Sequence, residues 1–205
     1  MIEIILIISL SYLSGSIPFG LILTKFFGKK DLRKIGSGNI GATNVLRTGN
    51  KYLAGFTLIL DMLKGYIPVF ITQSLAPDQI YLSALMSFLG HIFPVWLKFN
   101  GGKGVATYLG VITALSFQLC FLFIFTWIIV SLIFKYSSLS SMFSSLTVFV
   151  INFLRETVIF ADPSIYLSSN VPDSKILFIF LILIIFTHKK NIFNLKNKTE
   201  SKIKI

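Results

Sequence analysis

From Gly104 to Phe134 the chain runs 31 residues without one charged side chain. The hydrocarbon layer of a bilayer is about 30 Å thick and takes about 20 residues per helix. This stretch is therefore too long for one crossing and short for two. A split near Ser116–Gln118 gives two spans, the first of them short. Further apolar blocks cover Met1–Phe27, Tyr52–Leu75, Gln79–Leu97, Leu139–Phe160 and Ile176–Thr187. In lipid each backbone N–H must be paired within the protein, which helices achieve segment by segment. The pattern predicts an all-α integral membrane protein with about seven transmembrane helices. Residues 1–193 are expected to form a single multi-span domain, and 194–205 a basic, flexible tail.

Composition agrees: 54% of residues are hydrophobic, 13% are charged and the mean hydropathy is +0.81, where soluble chains carry about 25% charged residues. A disordered tail, a disulfide scaffold and a collagen-like fibre are excluded. Cys120 is the single cysteine. Glu3 stands where a signal peptide would carry a basic residue, so the first block reads as an uncleaved span.

A net charge of +11 would suggest nucleic acid in a soluble protein. Here no nucleic-acid partner is expected, because the basic residues cluster between apolar blocks. Lys25, Lys29, Lys30, Arg33, Lys34, Arg47 and Lys51 lie in segment 24–51, at and beyond the end of the first block. Lys98 and Lys103 follow the third, Lys135 the fifth, and six lysines lie beyond His188. Only Asp31 and Glu200 oppose them on that side. Arg155 and Lys175 lie on the other side with Glu3, Asp78, Glu156, Asp162 and Asp173. By the positive-inside rule the N-terminus is outside and the C-terminus cytoplasmic. No internal repeat of the kind found in inverted-repeat transporters is visible.

The polar, glycine-rich clusters gather on the predicted cytoplasmic side. In residues 36–47, GSGNIGATNVLR, Gly36, Gly38 and Gly41 let backbone N–H groups approach a ligand closely and form a concave anion site. Ser37, Asn39, Thr43 and Asn44 add hydrogen bonds, and Arg47 a bidentate grip on phosphate. The second cluster, Asn100–Thr107, sets Gly101, Gly102 and Gly104 around Lys103, ahead of an apolar helix whose N-terminus attracts anions. It lacks P-loop spacing, so nucleotide hydrolysis is unsupported. His91, near the inner end of the third span, is a ligand contact or a local anchor. His188 and Asn191 share a helical face as the last span emerges.

Asp61 and Lys64 share a face inside the second span, where they are expected to pair or face the protein interior. Ser14–Pro18 is expected to break or kink the first helix. Ser138, Ser140 and Ser141 are candidates for lining the same cavity, with bonds to their own helix backbone as the plainer alternative. Zinc-ligand spacing, a histidine followed four residues later by aspartate and the G-x-S-x-G elbow are absent from the sequence. The residues offer anion cradles and cations without an evident nucleophile, which favours transfer of a group that arrives already activated. No metal or cofactor is expected.

Taken together these segments resemble the bacterial acyl-phosphate-dependent glycerol-3-phosphate acyltransferase family. The resemblance rests on Ser14–Gly20, on 36–47, and on GHIFPVWLKFNGGKGVAT at 90–107. Asp61-x-x-Lys64-Gly65 and His188-x-x-Asn191-Ile192 add to it. It implies a multi-pass enzyme of the bacterial inner membrane with its active site facing the cytoplasm. It also implies acyl transfer from acyl phosphate to the 1-hydroxyl of sn-glycerol 3-phosphate, giving lysophosphatidic acid and inorganic phosphate. By resemblance Ser37, Arg47 and Lys103 contact phosphate, Gly101–Gly104 form the family's G-G-K-G loop, and His91, His188 and Asn191 are site residues. The tail departs from the family at Asn194 and Asn197, where arginine and glycine are frequent. The expected partners are the two substrates, the lipid bilayer and a docking soluble enzyme that makes acyl phosphate. A transporter or binder of organic phosphates is the alternative.

Overall fold

The computed structural model describes residues 1–27, 31–161 and 171–203. Lys29, Lys30, Asp162 and Lys204, counted in the charge balance, lie outside the described residues. Among the described residues all regular structure is helical. Where one domain is expected over 1–193, the chain divides into two compact units, Met1–Ala114 and Leu115–Ile205.

The first unit opens with α1 (Ile2–Ser16) and α2 (Phe19–Phe26). They are separated as expected, because Pro18 has no N–H to donate and forces Ile17 into extended backbone (φ −64°, ψ 118°). A five-residue helix, α3 (Ala42–Leu46), leads to α4 (Lys51–Leu75). Asn50 caps α4, its Oδ1 accepting from the Leu53 N–H at 3.1 Å. Then come α5 (Ile80–Ile92) and α6 (Val105–Leu115).

Small residues let these helices cross backbone to backbone. A Cβ on Gly15 would strike the Ser87 carbonyl, and one on Gly90 the Tyr12 carbonyl, so α1 and α5 meet with no side chain between them. Gly65 against Thr107 and Gly110 against Met62 do the same for α4 and α6. Side chains supply polar pins: Ser11 and Ser83 share a hydrogen bond of 2.9 Å between α1 and α5.

In the second unit α7 (Phe117–Phe134) turns at Lys135, φ 62°, into α8 (Ser137–Ala161). Trp127 Nε1 donates to Ser141 Oγ at 3.1 Å across this hairpin. The hydroxyls of Ser140, Ser141, Ser144 and Ser145 donate to carbonyls four residues back, so Ser140 and Ser141 serve their own helix. Next follow α9 (Ser174–Thr187) and α10 (Lys189–Lys196), which bend by 58° about His188.

Among the described residues five helical stretches are long and apolar enough to cross a membrane, and a sixth if α9 and α10 form one bent span. The break expected near Ser116–Gln118 is present, with Ser116 extended between α6 and α7. The 11 residues of α6 rise about 16 Å, roughly half the hydrocarbon thickness.

Candidate active site

The loop 36–47 is organised by one side chain. Asn44, 2% exposed, donates from Nδ2 to the carbonyls of Asn39, Ile35 and Leu32 at 2.7, 2.9 and 3.1 Å. Its Oδ1 accepts from the Ser37 N–H at 3.1 Å. Asn44, a candidate for substrate, has its amide bonded to four backbone groups and shapes the loop. Gly36 and Gly38 adopt φ of 54° and 72°, the left-handed region that glycine enters without a Cβ penalty. Arg47 lies exposed across this turn: a Cβ on Gly36 would come within 2.7 Å of its Cδ. Ser37 and Thr43 are exposed, while Asn39 and Gly41 are half-buried. The Asn39 side chain accepts from the Ile40 N–H at 2.9 Å.

Beneath the loop lies a buried apolar cluster of Leu32, Ile40, Val45, Leu53 and Ala54. Leu97, from the turn that precedes the second glycine loop, packs on the same cluster. One hydrophobic seat therefore carries both polar loops. Just before the first loop comes Asp31, whose carboxyl is held below its usual pKa by the backbone and side-chain hydrogen bonds of Arg33.

The second loop folds back onto the end of α5. Gly101 N–H donates to the Ile92 carbonyl at 3.2 Å, and Gly102 N–H to the His91 carbonyl at 3.1 Å. His91 is 3% exposed, and its Nδ1 lies 3.0 Å from Thr107 Oγ1 on α6. A Cβ on Gly102 would fall on His91 Nε2. Of the two roles open to His91, the anchor is the one these contacts describe. Gly104, φ 83°, fits under the Phe88 ring, which a Cβ would strike. Lys103 is half-buried between them. The first N–H groups of α6 have no partner within their own helix, which is the arrangement that draws anions.

Below His91 a polar chain runs through the helices. Asp61 Oδ1 stands 3.9 Å from His91 Nδ1 and 2.7 Å from Lys64 Nζ, so the expected pairing of Asp61 and Lys64 is present. Lys64 Nζ also donates to the Ile17 carbonyl at 2.7 Å, at the break that Pro18 makes. Thr107 is a scaffold residue the sequence reading passed over, although it closes the 90–107 segment.

In the second unit His188, 1% exposed, places Nδ1 2.8 Å from the Ile184 carbonyl, which makes that nitrogen the donor. Asn191 Nδ2 donates to Glu200 Oε1 at 2.6 Å. Ser138 Oγ donates to the same oxygen at 2.9 Å, and Asn194 Nδ2 to Oε2 at 3.3 Å. The tail expected to trail freely thus returns onto α8 and α10. Sequence reasoning missed Glu200; the signal was a lone acid among the lysines of the tail.

Apolar helices carrying two glycine-rich polar loops on one seat define a multi-pass integral membrane protein. The glycerol-3-phosphate acyltransferase family matches the chain over residues 5–198. A Pelagibacter ubique protein named glycerol-3-phosphate acyltransferase is 48% identical over 203 residues, 99% of each chain. One from Brucella anthropi is 48% identical, over 94% of this chain and 89% of its own. Among solved structures, the glycerol 3-phosphate form of PlsY, an integral membrane glycerol 3-phosphate acyltransferase, superposes with a TM-score of 0.86. It is 33% identical and the match covers 98% of this chain and 96% of that one. The lysophosphatidic acid form gives a TM-score of 0.85. This chain belongs to the glycerol-3-phosphate acyltransferase family.

Proposed function

We propose that this protein transfers the acyl chain of an acyl phosphate to the 1-hydroxyl of sn-glycerol 3-phosphate. The observation that carries this reading is the pair of anion-attracting loops held on one apolar seat by Leu97. The reaction has two phosphates to place, and the two loops offer two places. The names of the relatives, and a neighbour with glycerol 3-phosphate and lysophosphatidic acid forms, support the same substrates.

The acceptor hydroxyl oxygen attacks the acyl carbonyl carbon. The bond from that carbon to the phosphate oxygen breaks, and the hydroxyl proton leaves with inorganic phosphate. The donor is a mixed anhydride, so no covalent enzyme intermediate is needed, and proximity supplies much of the rate. Ser37 and Arg47, beside Gly38 and Gly41, hold one phosphate. Lys103, on the loop that Gly101 and Gly102 fasten to the end of α5, holds the other and stabilises charge as it moves onto the leaving group. Asn39 and Thr43 border the first site; His188 and Asn191 are counted as site residues on the family resemblance.

In this reading the protein spans the bacterial inner membrane seven times, with α6 as a short span, the N-terminus outside and the site open to the cytoplasm. The basic loop residues Arg33 and Lys34, exposed on the first unit, suit docking of a soluble enzyme that makes acyl phosphate. The test uses purified protein in lipid or detergent with palmitoyl phosphate and glycerol 3-phosphate. Phosphate release that depends on the acceptor, with lysophosphatidic acid formed, is the expected result. Folded protein that releases none, and instead moves glycerol 3-phosphate across sealed vesicles, would sink the enzyme reading.

A further inference from the structure

We propose that Trp96 and Phe99, with Tyr52 and Phe56 on the neighbouring span, are an interfacial anchor. They seat this end of the first unit among lipid headgroups and so fix the depth of the Lys103 loop in the bilayer. The consequence for donor choice rests on the acyltransferase reading above; the anchor itself does not.

The turn between α5 and the second glycine loop closes on itself. The N–H groups of Leu97 and Phe99 donate to the Pro94 carbonyl at 3.1 and 3.0 Å. Those of Lys98 and Asn100 donate to the Val95 and Leu97 carbonyls at 3.3 and 3.1 Å. With Gly101 and Gly102 bonded to the end of α5, every N–H from 97 to 102 is paired inside the segment. Non-helical backbone enters a lipid environment only when the protein itself satisfies its polar groups, and these donors meet that condition. From behind, the Tyr12 hydroxyl donates to the Phe93 carbonyl at 2.6 Å, which fixes the turn to α1.

The side chains of the turn divide. Leu97 packs on the cluster that holds Leu53 and Ala54 of α4, while Trp96 and Phe99 are 62% and 59% exposed. Lys98 and Phe99 hold φ of 51° and 61°, a left-handed backbone that glycine enters freely and a side chain enters at a cost. An aromatic ring is thus held bare where glycine would fit without strain. Because Leu97 meets Leu53 and Ala54, the turn lies beside the start of α4. There Tyr52 and Phe56, one helical turn apart, are exposed as well, and Lys51 and Lys98 are exposed next to these rings.

One stretch apolar enough to cross a membrane starts at Lys51 and another ends at Leu97, so this surface stands where two spans leave the hydrocarbon. Tryptophan and tyrosine rings settle at that boundary, and lysines beside them meet lipid phosphates. The occupant of the surface is therefore the lipid interface. Phe99 precedes Lys103 by four residues. An anchored turn presents the lysine at headgroup depth, where an amphiphile with an anionic head and a fatty tail carries its head. A donor dissolved in water gains nothing from that depth.

Trp96 and Trp127 are the two tryptophans of the chain, so Trp127→Phe leaves Trp96 as the sole indole emitter. The full chain with that change is placed in phosphatidylcholine–phosphatidylglycerol vesicles whose acyl chains carry bromine near the headgroup or near the methyl end. Bromine near the headgroup should quench Trp96 more strongly. Emission quenched by neither, or more by bromine at the methyl end, overturns the anchor. If Trp127→Phe does not fold, the difference between wild type and Trp96→Phe gives the same reading.

In the same vesicles Trp96→Ala/Phe99→Ala should raise KM for palmitoyl phosphate about tenfold. KM for glycerol 3-phosphate, and kcat/KM for the water-soluble donor butyryl phosphate, should stay within about twofold. Trp96→Tyr keeps an amphipathic ring at the boundary and should stay close to wild type. No rise, or an equal loss with both donors, overturns the inference, because a merely displaced loop would serve neither donor. If the double variant does not fold, Trp96→Gln decides by the same comparison. A wild type that forms no lysophosphatidic acid sinks the acyltransferase reading alone, and the anchor is then judged on the quenching.

Discussion

His91 and Gly102 claim the same space: the imidazole Nε2 stands where a β-carbon on residue 102 would be. The ring is buried and tied to Thr107, so it cannot swing aside without leaving α6. Gly102→Ala should therefore push the Lys103 loop off its anchor, with an overpacking cost of about 1–3 kcal/mol. Turnover should fall more than tenfold, on the view that about 1 Å of misplacement is enough for such a loss. The double variant His91→Ala/Gly102→Ala, which removes the clash, should unfold at a higher temperature than the Gly102→Ala single variant. A lower temperature would show that the two residues do not compete.

Asn44→Ala leaves a set of buried carbonyls without their donor. Each unsatisfied group costs about 1–3 kcal/mol, so the variant should lose roughly that much stability or more. Asn44→Asp should do no better, because it keeps the acceptor for Ser37 and removes every donor. Thermal unfolding in detergent measures this, and an Asp variant as stable as wild type would refute the assigned role.

Removing one partner of the Asp61–Lys64 pair strands a buried charge, at about 3–5 kcal/mol. Asp61→Leu and Lys64→Met should each destabilise strongly, and the double variant Asp61→Leu/Lys64→Met less than the sum. A double-mutant cycle that closes to zero coupling would contradict the pairing at 2.7 Å.

Lys103→Ala should lower kcat by about two to three orders of magnitude, the range for removing a group that stabilises developing charge. The variant should still insert and bind detergent as a folded protein. Near wild-type turnover in the steady-state assay would remove Lys103 from the chemistry.

Much of this molecule was legible in residues 1–134. Pro18 announces its break because a missing donor is a local property, and Asp61 and Lys64 meet because three residues along a helix bring them onto one face. The two glycine loops declared their character through composition alone. The roles of Asn44 and Glu200 were not legible. Asn44 reaches carbonyls 12, 9 and 5 residues back, with no periodicity to reveal it. Glu200 meets Ser138 across 62 positions, and only the folded chain brings them together. His91 left two readings open because a buried ring and a ligand-facing one look alike in sequence. The length of α6 likewise depends on where Gly104 and Ser116 interrupt the helix, which hydropathy does not register.

The shared seat under Leu97 has a bearing on inhibitor design. Two loops resting on one buried cluster are held at a set reach before anything binds. A stiff molecule with an anionic group at each end, cut to that reach, would give up little motion of its own on entering. Nor would it have to order the protein. Flexible linkers would forfeit that advantage, so the spacing between the anions matters more than their individual strength.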